Sequence, residues 1–351
     1  MLTRRRTSFD PSFRPVWVWP HSGNGPARVL SWVSYGATSL VAGLCTRRAD
    51  LVLASSPHLL TGVSGWVLSR VWRVPFLLEV RDLWPDVLVD MGALEESSTI
   101  CRFLRRLERF LYRHAAVIVV LAEGVSDRLI SVGVDSGRIV VVPNGADPSD
   151  FDSPFSKDEL RARYGLSGFV VVYAGSHGPA NGLDLVLDAA GSLADTEPDA
   201  LIVLVGDGAS KKELVARAER EGLANVRFLD PIPKSEMPAL LKAADAGLHV
   251  LADVPLFRYG VSPNKLYDYL AAGLPTITNT PGEVTALLSA ADAGIPVAPE
   301  GIANGVLAMS RSSSEERQRW SENGRAWMAV NRSRRALAAR LEDVLDRATD
   351  R

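Results

Sequence analysis

The residues with the clearest chemical potential lie in the segment SPNKLYDYLAAGLP, at residues 262–275. Ser262 is a residue type that often caps a helix, and the proline after it suits the first helical position, where no amide proton is needed. Gly273 suits the left-handed exit from a helix. We therefore predict a short helix whose first turn presents free amides, the positive end of the helix dipole and the ammonium group of Lys265. That combination suits a phosphate or diphosphate.

Asp268 lies just over one turn further along the same predicted helix. Its carboxylate could accept hydrogen bonds from sugar hydroxyls at that position. A second interpretation is equally open, because Lys265 and Asp268 have the i,i+3 spacing of an ordinary ion pair on a surface helix. The helix alone does not decide between a binding site and a solvated face.

The composition is that of an ordinary globular chain, with 351 residues, 47% of them hydrophobic and 23% charged. This length is enough for two domains. The formal net charge of −2 argues against general nucleic-acid binding, although a local basic face is compatible with it. Cys45 and Cys101 match no metal-ligand spacing and are typical of free thiols in a reducing compartment. No signal peptide is recognisable, so we expect a cytoplasmic protein.

Strand-like and helix-like segments alternate along the chain, which predicts an α/β fold with parallel sheets. Apolar runs such as ADLVLAS at residues 49–55 are typical of buried parallel strands. We expect two tandem doubly wound, Rossmann-like domains that face a cleft, at residues 1–150 and 151–311. A charged helical tail at residues 312–351 is expected to pack back on the first domain. Ligands of such sheets bind outside the carboxyl ends of the strands.

Two further loops of the second domain follow predicted strands and could contribute to a site. The glycine-rich loop after FVVVYA could let Gly175 approach a phosphate, with Ser176 and Asn181 as donors. Gly206 and Asp207 end the next strand. Either loop alone is equally well explained as a simple turn. Their order along the chain, however, brings both to the edge where the predicted helix begins.

Six segments in a fixed order resemble the second domain of family-4 retaining glycosyltransferases: YAGSHGPANGLD, VGDG, NVRFLDPIP, ADAGLHVL, SPNKLYDYLAAGLPTI and GEVTALL. In the first half, VRDLWPD, AVIVVLAEGVSDRL and VVPNGAD resemble the same family, so the likeness covers about residues 16–310. This family has the two-domain GT-B fold. Within it, the chain is most similar to enzymes that transfer acetamido sugars in surface-polysaccharide synthesis.

The resemblance implies a nucleotide-sugar site in the second domain, and it also shows where this chain departs from the family. Asp268 matches the carboxylate that holds the ribose, in a shorter form. Gly260 occupies the position of a second family glutamate and has no side chain. Asn264 lies in the first turn of the predicted helix and is a further candidate contact.

The cationic residues that the family commonly places in the first loop of this domain are missing. Ser176 and Asn181 occupy those positions. Lys265, together with Arg258, would then have to supply the positive charge that binds the diphosphate. We interpret this as a variant arrangement of a working site.

The candidate catalytic residues of the first domain are Arg81, Asp82 and His58. The pair Arg81-Asp82 occupies the loop in which the family often has a His-Asp pair, and His58 follows the preceding strand. The alternatives are that His58 is incidental and that the pair only fixes its loop to the sheet.

The activity implied by the resemblance is retaining transfer from a UDP-sugar, with an acetamido sugar as one option, to a lipid-linked or saccharide acceptor. Catalysis would rest on positioning and on stabilising the leaving diphosphate. No Asp-x-Asp metal motif is evident at the ends of the predicted strands, so we expect neither a metal nor another cofactor. Two alternatives remain open: a sugar-nucleotide epimerase on the same fold, or a catalytically degenerate partner subunit.

The segment from Ile100 to His114 predicts an amphipathic helix, because an apolar stripe is flanked by arginines. Such a helix could lie on an anionic membrane surface, which would place the protein peripherally on the inner face of the plasma membrane. Alternatively, the stripe packs on the domain.

The start of the chain contains no recognisable strand, glycine-rich loop and helix of the kind that opens a doubly wound domain. We therefore expect the first sheet to lack its opening strands. Either the reading frame begins further upstream or the first domain is built differently.

Overall fold

The computed structural model describes residues 13–21, 25–56 and 58–350. Its first half contains a parallel sheet of four strands in the order β1-β2-β3-β4. The strands and helices of this half alternate along the chain as α1 (Pro26–Leu44), β1 (Val52–Ser56), α2 (Leu59–Trp72), β2 (Phe76–Val80), α3 (Asp86–Asp90), α4 (Thr99–His114), β3 (Val117–Val120), α5 (Glu123–Ser131) and β4 (Ile139–Val141).

The second half contains a parallel sheet of six strands. Its elements are α6 (Lys157–Tyr164), β5 (Phe169–Ala174), α7 (Leu183–Leu193), β6 (Ala200–Val205), α8 (Lys211–Glu221), β7 (Val226–Leu229), α9 (Met237–Ala243), β8 (Ala246–His249), α10 (Asn264–Ala271), β9 (Thr276–Thr278), α11 (Glu283–Ala291), β10 (Gly294–Pro296) and α12 (Ile302–Arg311). Two helices close the chain, α13 (Ser314–Asn331) and α14 (Arg334–Thr349).

This architecture confirms the predicted α/β fold with two parallel sheets. The second sheet has the order β10-β9-β8-β5-β6-β7, so the chain winds outward in both directions from the boundary between β5 and β8. In the first sheet, the four described strands follow each other in chain order. None of the helices described is long and apolar enough to cross a bilayer.

The central strands β5 and β6 of the second sheet are apolar throughout because both faces of the sheet are covered there. In β5, Val170 and Val172 face one core, whereas Val171 and Tyr173 face the other. Successive side chains of a strand point to opposite faces, so a strand buried on both sides needs an unbroken apolar run. This is the physical reason why FVVVYAG is recognisable in the sequence.

The last helix, α14, packs against the sheet of the first half. Val344 and Ala348 form a buried cluster with Leu77 and Val119 of that sheet. The neighbouring strand residues, such as Ile118, face the opposite core beneath α2 and α4. The tail helix therefore covers the sheet face that the crossover helices leave open.

A buried carboxyl group on α4 affects how stability depends on pH. Glu108 accepts a hydrogen bond from the Tyr112 hydroxyl at 3.0 Å. Burial raises the pKa of Glu108 to about 7, from an ordinary value of 4.5. The folded protein consequently binds more protons than the unfolded chain between these two pH values, and the free energy of unfolding should fall as the pH rises through this window.

We expect Glu108→Gln to raise the free energy of unfolding by about 2 kcal/mol at pH 8, because it removes a poorly solvated charge. The Gln amide oxygen can still accept the hydrogen bond of Tyr112. Urea denaturation at pH 8 and pH 4.5 provides the measurement, and the two proteins should differ little at the lower pH. An equal effect at both pH values would show that Glu108 is not titrating in this window.

Candidate functional site

The candidate site lies at the carboxyl edge of the second sheet, where the strand order reverses between β5 and β8. Such a reversal opens a crevice, because the loops after the two central strands leave in opposite directions. α10 packs over this crevice. Its residue Tyr269 is buried and accepts a hydrogen bond from the backbone N–H of Ala174, the last residue of β5, at 2.8 Å. That contact fixes the helix to the strand end.

The start of α10 differs from the prediction. The residue at the N-cap position is Pro263, and no side chain caps the helix. The Ser262 hydroxyl instead accepts from the backbone N–H of Asn144 at 2.9 Å, and the Asn144 side chain donates to the Ser262 carbonyl at 2.8 Å. Ser262 is therefore wrongly predicted as the helix cap. It joins the segment before α10 to the first half of the chain, and no cap side chain bonds to the first amides of α10.

The end of α10 agrees with the prediction. Gly273 has a φ of +71°, in the left-handed region that glycine adopts without strain.

Lys265 lies in the first turn of α10 and is half-buried, with two neutral partners. Its ammonium group donates to the hydroxyl of Tyr173 at 2.8 Å and to Oδ1 of Asn181 at 2.8 Å. It also lies 4.2 Å from the centre of the Tyr173 ring, a distance typical of a cation–π contact. Desolvation lowers the pKa of Lys265 from 10.5 to about 7. Neither partner carries a compensating negative charge, so the site is suited to an anion.

The first loop supports Lys265 and lies close to it. Asn181 is one of its two partners, as described above. Ser176 is exposed, and its carbonyl accepts from the Tyr173 hydroxyl at 2.8 Å. A side chain at Gly175 would come within 3.3 Å of the Lys265 side chain. The structure thus brings Gly175, Ser176 and Asn181 together around the lysine.

The second loop contacts the first through glycine. Gly206 has a φ of +146°, and a Cβ atom there would lie 1.9 Å from the carbonyl oxygen of Gly175. The Asp207 side chain accepts from the N–H of Gly208 at 2.8 Å and is exposed. It lines a separate cavity of about 670 Å³, which also contains Lys211. Gly206 therefore belongs to the wall of the crevice, whereas the Asp207 carboxylate is directed to this second cavity.

Asp268 does not pair with Lys265, so the interpretation of these two residues as an i,i+3 ion pair is wrong. Its carboxylate is 3.7 Å from the ammonium of Lys234, in the loop after β7. Burial raises the pKa of Asp268, and the charges of Lys234 and Arg334 oppose this rise. The carboxylate is part-buried beside the loop that follows β7.

A cavity of about 310 Å³ lies between the two halves of the chain. Arg81 and Asp82 line it from the first half, and Ser262 and Asn264 line it from the second. Desolvation in the cleft raises the pKa of Asp82, and the guanidinium of Arg81 opposes the rise. The predicted catalytic pair is therefore across the cleft from the first turn of α10.

His58 is not a lining residue of this cavity. It is buried, and its ring stacks on Trp32 with the ring centres 5.5 Å apart. Tyr35 approaches its edge at 6.0 Å, and burial lowers the pKa of the imidazole. Its role in the described structure is to pack α1 against the start of α2. The side chain of Arg258 lies outside the described part of the structure.

Sequence reasoning missed two residues that shape the site. Tyr173 looks like a strand residue in the sequence, yet its hydroxyl and ring both contact Lys265. Asn144 lies in the segment PNGAD, and its contacts with Ser262 join the two halves. The position of Asn144 in a loop after a strand was the available signal, whereas nothing in the sequence indicated the contact of Tyr173. Among the described residues, no group of three or more His, Cys, Asp and Glu side chains could hold a metal ion.

Residues 3–145 match the family Glycosyl transferase 4-like domain, and residues 156–327 match Glycosyl transferases group 1. The chain is built from the two domains of a family-4 GT-B glycosyltransferase. Its structure superimposes on that of Anabaena Alr3699/HepE in complex with UDP-glucose with a TM-score of 0.72 and 20% sequence identity, covering 92% of this chain and 84% of that one. This likeness shows the GT-B fold.

Two curated glycosyltransferases are similar in sequence. The colanic acid biosynthesis glycosyl transferase WcaI of Escherichia coli K12 is 24% identical over 267 residues, which is 74% of this chain and 64% of WcaI. The 2-deoxystreptamine glucosyltransferase of Streptomyces kanamyceticus is 27% identical over 282 residues, which is 73% of this chain and 71% of that protein. The chain thus spans about two thirds of the length of these relatives.

Proposed function

We propose that this GT-B protein transfers a sugar from a UDP-sugar to a lipid-linked or saccharide acceptor in polysaccharide synthesis, with retention of the anomeric configuration. The observation that carries the proposal is the position of Lys265. A cationic side chain whose hydrogen-bond partners among the described residues are both neutral lies at the first turn of α10, at the switch point of the sheet. Free amides, the helix dipole and an ammonium group all favour a diphosphate at this place.

The site gives each group a role in the proposed reaction. The diphosphate would bind against Lys265 and the crevice loops. The negative charge that develops on this leaving group as the sugar–phosphate bond breaks would be stabilised there. Asp268 would face the ribose. The acceptor would enter from the side of Asp82, whose carboxylate can accept the proton of the attacking hydroxyl. The complex of HepE with UDP-glucose supports a UDP-sugar donor, and the likeness to WcaI, a colanic acid biosynthesis glycosyl transferase, supports a role in polysaccharide synthesis.

Turnover with a panel of nucleotide sugars and a polyprenyl-diphosphate-linked saccharide tests this proposal. We expect acceptor-dependent release of UDP and, by NMR of the product, the same anomeric configuration as in the donor. We propose an acetamido sugar as the sugar that the UDP donor carries. Interconversion of the nucleotide sugar without acceptor would favour the epimerase, and UDP binding without any turnover would favour the degenerate partner subunit.

We also propose that α4 associates with anionic membranes. Ile100 and Phe103 are 63% and 59% exposed, which is unusual for apolar residues of this size. The side chains of Arg102, Arg106 and Arg109 are exposed beside them. A basic helix with exposed apolar residues is suited to the headgroup region of a bilayer.

Arg105 does not belong to this exposed face. Its guanidinium forms ion pairs with Asp86 at 2.6 Å and with Glu96 at 3.1 Å. The membrane test should therefore use the exposed arginines.

The combined change R102Q/R106Q/R109Q is expected to weaken binding to anionic vesicles by roughly 100-fold, since each surface cation contributes about 1 kcal/mol. Co-sedimentation with phosphatidylserine vesicles is the measurement. R335Q/R340Q/R347Q on α14 is the matched control, because it removes the same charge from exposed positions on another helix. Equal losses in both variants, or binding that does not respond to salt, would contradict a specific role for α4.

A further inference from the structure

The N-terminus of α5 meets the second half of the chain in a close backbone contact. A Cβ atom at Gly124 would lie 1.8 Å from the carbonyl oxygen of Tyr259, so this position has no room for a side chain. The residue at the N-cap of α5 is Ala122, and no side chain of its own segment caps the helix. The first amides of α5 therefore need a partner from elsewhere.

Glu283, in the first turn of α11, provides that partner from the second half. Its Oε1 accepts from the backbone N–H of Glu123 at 3.5 Å, which is the length of a weak hydrogen bond. Burial raises the pKa of Glu283, and the amides of Glu123 and Gly124 oppose this rise. A carboxylate at this end of a helix is also favoured by the helix dipole.

The same carboxylate lies directly behind the wall of the cleft. A Cβ atom at Gly260 would be 2.5 Å from Oε2 of Glu283 and 3.3 Å from Cβ of Ala122. Gly260 and Ala122 both line the cavity between the two halves. The absence of a side chain at Gly260 therefore leaves the space that the carboxylate needs to reach α5.

We propose that Glu283 is a positioning residue. Its contact with the N-terminus of α5, the Glu283 clasp, joins the two halves of the chain and so fixes the position of Asp82 relative to Lys265. The role of the clasp in catalysis rests on the proposed transfer reaction. The clasp itself is a contact between the two halves of the chain and exists whatever reaction the cleft performs.

The clasp should affect the chemical step and leave donor binding unchanged. In the part of the chain that the structure describes, no hydrogen bond or ion pair joins Glu283 to Lys265, Tyr173 or Asn181. Loss of a hydrogen bond to a charged group that fixes the geometry of the cleft should lower kcat about tenfold. The Kd for UDP should stay within about twofold.

The experiment compares Glu283→Ala with Glu213→Ala, which removes an exposed glutamate from the first turn of α8. Fluorescent labels on the exposed native Cys45 and on an introduced Ser192→Cys report the distance between the halves. We expect Glu283→Ala to lengthen and broaden this distance in the presence of UDP, and to lower kcat while UDP affinity is retained. Glu283→Gln, which keeps an acceptor oxygen, should show an intermediate effect.

An unchanged distance distribution in Glu283→Ala would overturn the proposal, and so would a loss of UDP affinity without a change in distance. If the wild-type protein transfers no sugar, the proposed function fails, but the distance measurement still decides whether Glu283 joins the two halves.

Discussion

Replacing Lys265 by alanine is expected to weaken UDP binding at least about 30-fold. Among the described residues, the hydrogen-bond partners of the ammonium group are the neutral side chains of Tyr173 and Asn181. A charge-assisted contact with a diphosphate contributes about 2 kcal/mol or more, which corresponds to this factor in Kd. Calorimetric titration with UDP at pH 7 is the measurement.

Lys265→Met is the companion variant, because it keeps the aliphatic stem and removes only the charge. Lys212→Ala is the matched control, since Lys212 is an exposed lysine in the first turn of α8. We expect both Lys265 variants to lose affinity and the control to keep it. An unchanged Kd in Lys265→Met would remove α10 from the donor site.

Replacing Asp82 by asparagine is expected to lower kcat about 100-fold with little change in UDP affinity. Asp82 lines the cleft opposite the first turn of α10, in the position from which an acceptor would approach. Asparagine keeps the shape of the side chain but cannot accept the proton of the attacking hydroxyl, a contribution typically of this size. Steady-state kinetics with a saturating donor provide the measurement.

The pH profile separates this role from simple packing. Desolvation raises the pKa of Asp82, so the active carboxylate should be lost as the pH falls through that raised value. The acid limb of the wild-type profile should be absent in Asp82→Asn. Asp127→Asn, at an exposed position on α5, is the control. If Asp82→Asn retains both the rate and the acid limb, the carboxylate only holds its loop.

The fold and part of the site were predictable because their signals are local. Each buried strand needs a continuous apolar run, and Gly273 needs the left-handed conformation that ends α10, so both can be read from neighbouring residues. The glycines at 175 and 206 were predictable as loop positions at strand ends. Their close approach could not be predicted, since it depends on the packing of two strands. A Cβ atom at Gly206 would lie 1.9 Å from the carbonyl oxygen of Gly175.

The errors and omissions concern partners that are distant in sequence. Ser262 has the residue type of a helix cap, but its partner Asn144 is 118 residues away. Asp268 has the right spacing to pair with Lys265 on α10, yet its carboxylate pairs with Lys234 from the loop after β7. His58 has the chemistry of a catalytic residue, and only the fold shows that aromatic rings enclose it. Local spacing cannot reveal such choices, because tertiary packing decides among competing partners.

The most direct test of the donor site is the number of protons taken up when UDP binds. Burial lowers the pKa of Lys265 to about 7, so the lysine is mostly neutral at pH 8. A bound diphosphate favours the protonated form and raises that pKa, so binding must draw a proton from solution, and the affinity should fall as the pH rises above 7. Calorimetric titrations at pH 8 in buffers of different ionisation enthalpy measure this uptake. We predict between about half a proton and one proton per UDP for the wild type, and none for Lys265→Met; UDP binding with no proton uptake in the wild type would contradict Lys265 as the cation of the site.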